Sequence, residues 1–197
     1  MFREQELGGL RKANICVCCG KSGDTVELHP DHFIPEVFER RPHNSIHPFR
    51  KVVRSPYNLF PLCQEDHRTV DGLKIAAFNG HKKSRNIDPP ALFRFLRDYY
   101  PITDNPYYRS LQIEAMIRVN EQFIEIANQL KIYTGIPKRL IPRFKEAALV
   151  AQSFINQLYV LQQKDSLLTY KGESCYNTTN QASVALGFPE LVRQQRS

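Results

Sequence analysis

No apolar run in this 197-residue sequence reaches the 18 or so consecutive positions that a membrane-spanning helix requires. The opening stretch, MFREQELGGLRKAN, carries charges throughout and holds no apolar segment of signal-peptide length, so a cytoplasmic protein is expected, with no membrane partner. Cysteine is scarce. Five thiols are too few for a disulfide-dense secreted scaffold, and the clustering of Cys16, Cys18 and Cys19, with Cys63 following and Cys175 far off, favours a metal over disulfides. Acidic excess is missing too: 27 Lys+Arg against 20 Asp+Glu leave a formal net charge of +7 and a pI of about 9.2. That balance excludes a strongly acidic, disordered chain and permits a nucleic-acid partner without deciding for one. There is no Walker A string, no G-x-G-x-x-G, no internal repeat and no heptad run long enough for an extended coiled coil. What remains is of ordinary globular composition, 42% hydrophobic and 24% charged, enough for one core or for a small domain plus a helical one.

The first 86 residues hold four of the five cysteines and all six histidines among frequent Pro and Gly, a short-element, turn-rich region. Thr25–Leu28 is expected as a brief strand fed by a turn over Gly20–Asp24. Glu36 to Ser55 is polar and basic and predicts a long exposed loop, whereas Cys63, His67, Val70, Asp71 and Lys74 fall at three- and four-residue steps and predict a helix over Gln64–Ala77. From about residue 87 to 170 the pattern becomes helical. Helices are expected over Ala91–Tyr100 behind Pro89 and Pro90, over Pro106–Tyr133, and over Pro137–Gln163, the last two as an antiparallel hairpin. Residues 171–197 form a polar tail with a short helix near 181–186. The fold class expected is therefore α+β, a small metal-stapled module followed by a helical region.

Four features in order carry the chemistry: Cys16-Val-Cys-Cys19-Gly20, Asp31-His32-Phe-Ile-Pro35, Asn58-Leu59, and Leu62-Cys63-x-x-Asp66-His67. A C-x-x-C followed by Gly suits a zinc knuckle, because the glycine lets the backbone turn while both thiolates face one ion. The second half of a four-ligand site is offered by Cys63 with Asp66, or by Cys63 with His67 one helical turn on, and the spacing leaves both open.

This order of features resembles the HNH nuclease family, whose core is the small ββα-metal fold; the resemblance covers about Cys16 to Ala77, under a third of the chain. It implies a metal-dependent endonuclease that hydrolyses phosphodiester bonds in DNA. Under it His32 is the general base that activates water, and Asn58 braces the loop and orients His32. Asp31 and His67, with Asp71 as in some members, hold a catalytic Mg²⁺ or Mn²⁺ that stabilises the departing 3′ oxygen. Cys16, Cys19 and Cys63 correspond to three of the four zinc thiols that bracket the motif in many members, and Asp66 stands where the fourth would be. In bacteria and phages, proteins of this build serve in restriction, antiviral defence or mobile-element cutting, sometimes beside a partner ATPase.

Elementary chemistry agrees with these roles. Phosphodiester hydrolysis needs a base and a positive charge at the phosphate, a histidine of ordinary pKa can take a proton near neutrality, and residues 67 and 71 lie four apart on one helix face. Arg40, Arg41, Arg50, Lys51 and Arg54 in the loop, and Lys82 and Lys83 beyond the helix, suit phosphate contacts that position a nucleic acid without reading its sequence, or a plain solvated surface. The apolar stripes of the later helices suit a core, a homodimer face or a partner-binding face. A second reading, motivated by Asp66 in place of a cysteine, is a catalytically silent zinc module that binds nucleic acid or a protein.

Overall fold

The computed structural model describes residues 13–38, 48–77, 88–132, 136 and 138–170. The chain is α+β: mostly helical, with a single two-stranded antiparallel sheet among the described residues. In order come β1 (Leu28–His32), a one-turn helix α1 (Arg50–Val53), β2 (Leu59–Cys63), α2 (Gln64–Ala77), α3 (Pro89–Tyr99), α4 (Pro106–Gln129) and α5 (Ile141–Tyr170). No described helix is long and apolar enough to cross a membrane.

The strands pair in the register Leu28↔Cys63, Asp31↔Phe60 and His32↔Leu59, so the Asp-His step and the Asn58-Leu59 step meet at one end of the sheet. Helix α2 leaves β2 without a break at Gln64, and Glu65 and Asp66 in its first turn match the positive end of the helix dipole. Each proline-led helix has a side-chain cap. The Asp88 carboxylate accepts from the Ala91 N–H at 3.1 Å, and the Asn105 side chain accepts from the Tyr108 N–H at 3.3 Å.

Three expectations need correction. Thr25 and Val26 do not form a strand: both backbone N–H groups donate to the Ser22 carbonyl, at 3.0 and 3.1 Å, and the strand starts at Leu28. The expected long loop between Glu36 and Ser55 holds a 3₁₀ turn over Glu36–Phe38 and the helix α1, because Phe38, Phe49, Val52 and Val53 are buried. The last two helices are also shifted. The first ends at Gln129 with a 3₁₀ turn over Leu130–Ile132, and the second follows a 3₁₀ turn over Lys138–Leu140 and runs on to Tyr170.

By compactness the chain divides into residues 1–159 and 160–197. The physical reason lies in the aromatic core of the first unit. Phe33 packs edge-on to Tyr100 (4.9 Å between ring centroids) and lies 6.1 Å from Phe154, while Phe49 stacks on Phe144 (4.7 Å) and Phe123 (5.1 Å). The cysteine-bearing segment and the helices up to Tyr159 thus share one core. In the second unit the described residues are the last turns of α5. Arg40, Arg41, Lys82, Lys83 and the short helix near 181–186 lie outside the described residues.

Candidate metal centre and the Asp31 cluster

The knuckle closes through backbone geometry. The Cys16 N–H donates to the Lys21 carbonyl and the Gly20 N–H to the Cys16 carbonyl, both at 2.9 Å, and Ile15 bridges Ser22. Gly20 sits at φ +73°, in the left-handed region, with open space where a Cβ would lie, so conformation rather than crowding demands the glycine. The Val17 N–H donates to the Pro61 carbonyl at 3.0 Å, which fastens the knuckle to β2 two residues before Cys63.

This brings Cys16, Cys19, Cys63 and Asp66 together, one donor atom from each, all within 4.8 Å of one another. Asp66 Oδ2 accepts from the Cys16 and Cys63 thiols at 3.2 Å each, and the Cys19 and Cys63 sulfurs are 3.8 Å apart. The set can hold a metal ion. Of the two candidates for the fourth position, Asp66 is the one in the group. His67, the next residue on α2, is turned about 100° around the helix and faces Asp31 instead. Cys18 is exposed and stands outside the group, and Cys175 lies outside the described residues.

Burial pushes the Cys19 and Cys63 thiols up, and their hydrogen bonds to the Asp66 carboxylate add to it, while the Asp66 backbone N–H on Cys63 works the other way. For Asp66 burial acts upward as well, but the thiols of Cys19, Cys63 and Cys16 donate to its carboxylate and hold it below the usual range. The Cys19 and Cys63 thiols thus hold their protons more firmly than free cysteines, and a metal must displace those protons to enter.

The second cluster forms at the other end of the strands. Asn58 is fully buried, and its side chain clamps the backbone after His32: Oδ1 accepts from the Ile34 N–H at 2.7 Å, and Nδ2 donates to the Ile34 and Val53 carbonyls, each at 2.9 Å. Its own carbonyl accepts from the Phe33 N–H at 2.9 Å. His32 is partly exposed, with Nδ1 3.8 Å from Glu36 Oε1. Through Val53 the same clamp holds α1, where Arg50 and Lys51, and Arg54 just after it, are exposed.

Asp31 is almost wholly buried and both its oxygens are taken. Lys74 Nζ donates to Oδ1 and the Tyr100 hydroxyl donates to Oδ2, each at 2.6 Å. Lys74, equally buried, also donates to the His32 carbonyl at 2.8 Å. His67 Nε2 is 3.8 Å from Asp31 Oδ1, and the half-exposed Asp71 has Oδ1 4.0 Å from Lys74 Nζ. Burial and the neighbouring Asp31 carboxylate push the Tyr100 phenol far up, so it stays a donor.

The expected cation trio is therefore not assembled as one. Among the described residues the cysteine–aspartate set is the group of donors close enough to share an ion, and at Asp31 the ammonium of Lys74 stands where a cation would. Sequence reasoning missed Lys74 and Tyr100 as members of this cluster. Lys74 does fall in the buried stripe of α2, where a lysine calls for a partner, but Tyr100, 69 residues from Asp31, gives no such signal.

Compared with protein-family models, curated proteins and solved structures, the chain matches none.

Proposed function

We propose that this chain is an HNH-type endonuclease, stapled by a structural zinc ion and hydrolysing phosphodiester bonds in DNA. The observation that carries the reading is the meeting of three features at one strand end. These are the partly exposed His32, the Asn58 clamp behind it and the basic residues of α1. Arg50, Lys51 and Arg54 hold phosphates and bring the scissile bond to the His32 imidazole, which takes a proton from the attacking water as its oxygen bonds to phosphorus; the phosphorus–3′ oxygen bond breaks and the departing oxygen takes a proton from solvent. Asn58 is a positioning residue, fixing the backbone that presents His32.

Zinc suits the four-donor set. A tetrahedral ion with zinc–sulfur bonds of about 2.3 Å puts two thiolates about 3.8 Å apart and a thiolate and carboxylate about 3.5 Å apart. The cluster has 3.8 Å between the Cys19 and Cys63 sulfurs and 3.2 Å from Asp66 Oδ2 to Cys16 and Cys63. A catalytic Mg²⁺ or Mn²⁺ on Asp31, His67 and Asp71 does not fit the side chains as they stand, since Lys74 and Tyr100 hold both Asp31 oxygens.

That mismatch favours, as a second reading, a catalytically silent zinc module that binds nucleic acid or a protein. Supercoiled plasmid incubated with the zinc-loaded chain, with and without Mg²⁺ or Mn²⁺, separates the two. The nuclease reading expects nicked or linear DNA, lost in a His32→Ala variant that keeps its zinc and its fold. Intact plasmid under every condition, with equal DNA binding by both proteins, overturns it in favour of the silent module.

A further inference from the structure

The surroundings of Lys74 are those a divalent cation seeks: a carboxylate oxygen at 2.6 Å, a backbone carbonyl at 2.8 Å and a second carboxylate at 4.0 Å, with an imidazole nitrogen 3.8 Å from the first oxygen. An ammonium already fills that position. We infer that Lys74 is a built-in occupant of the cation position, so that the Asp31–His67 pair takes up no divalent cation in the wild-type protein.

Three observations carry the inference. Asp31 has no vacant oxygen, each being engaged in a short hydrogen bond from a buried donor. Lys74 is not a surface side chain that could swing into water: it is 1% exposed, and its Nζ lies 5.8 Å from the centre of the Tyr100 ring. An ion taking its place would leave the buried ammonium without its carboxylate, a costly state. Finally, an ion bound to both Asp31 Oδ1 and His67 Nε2 would share that oxygen with the ammonium, and two cations on one desolvated oxygen repel strongly. Lys74 thereby becomes a positioning residue. It holds Asp31 and the His32 carbonyl together and fixes the strand end. The inference concerns cation uptake alone and stands whether or not His32 cuts DNA.

Titration of the zinc-loaded full chain with Mn²⁺, followed by the electron paramagnetic resonance of free Mn²⁺ and by the melting temperature, tests it. Wild type and His67→Ala are expected to take up Mn²⁺ alike, up to about 1 mM. Lys74→Met, which removes the ammonium and keeps most of the stem, is expected to gain one Mn²⁺ about tenfold or more tighter. That gain should vanish in Lys74→Met/His67→Ala, and the lowered melting temperature of Lys74→Met should rise with Mn²⁺. Lys74→Gln, polar but neutral, serves the same titration if the methionine variant does not fold. The inference is overturned if the wild type binds one Mn²⁺ tightly and loses it in His67→Ala, which needs no Lys74 variant at all, or if neutral variants gain no Mn²⁺.

Discussion

Replacing Asn58 by alanine removes three hydrogen bonds at once, and the structure gives the size of the effect. The side chain is fully buried, and its partners are the Ile34 N–H, the Ile34 carbonyl and the Val53 carbonyl, at 2.7, 2.9 and 2.9 Å. An orphaned buried polar group costs about 1–3 kcal/mol, and admission of a water into the space left behind recovers part of it, so Asn58→Ala should destabilise the chain by roughly 3–5 kcal/mol. That is a large share of the stability of a typical domain. Equilibrium urea unfolding, monitored by tyrosine fluorescence and far-ultraviolet circular dichroism together, reads the change. The slope of the transition should hold while its midpoint falls. Lys51→Ala, an exposed change on the same helix, is the control and should move stability by about 0.5 kcal/mol or less. A loss under about 1 kcal/mol for Asn58→Ala would refute the reasoning, since it would mean that the clamped backbone satisfies itself without the amide.

Metal uptake should follow the cluster rather than the wider motif. Asp66→Ala is expected to weaken Co²⁺ binding, read from its thiolate charge-transfer absorption, while His67→Ala leaves it unchanged. The thiols of Cys19 and Cys63 stand above their ordinary value in the metal-free protein and must lose their protons to bind. Affinity should therefore fall as pH falls, with about two to three protons released per ion by calorimetry in buffers of different ionisation enthalpy. Gly20→Ala should cost about 1–2 kcal/mol by thermal melting from conformation alone, since no atom lies within 4 Å of the added carbon, and Gly20→Asn should recover part of that.

The elements legible in the sequence were those fixed by local rules. Three- and four-residue steps over Gln64–Ala77 give α2 with the expected bounds, and prolines behind a polar cap mark the starts of α3 and α4. β1 was misplaced because Pro30 within it argues against a strand. The sheet accepts Pro30 by setting it opposite Pro61, where neither residue has a donor to lose. In the expected loop, Phe49, Val52 and Val53 are too few and too close for a period, and Phe49 packs on Phe123 and Phe144 far along the chain. The three thiols of the metal cluster were legible for the opposite reason, as Cys16 and Cys19 are three apart and need a second half, whereas the spacing left the fourth position open between Asp66 and His67. The occupant of Asp31 was not, because Lys74 and Tyr100 meet it across 43 and 69 residues and no local pattern encodes a partnership set by packing.

The hydroxyl of Tyr100 on Asp31 bears on how far this protein can be pruned. A fragment ending at Ala77 would keep every residue of the motif. It would lose Tyr100, Phe123, Phe144 and Phe154, and so uncover Phe33, Phe38 and Phe49, each at most 2% exposed in the whole chain. Transplanting the motif into another scaffold would meet the same obstacle. The smallest heritable unit of this site is the motif together with the helices that roof it, so insertions and deletions between Tyr100 and Phe154 should act on His32 without touching it.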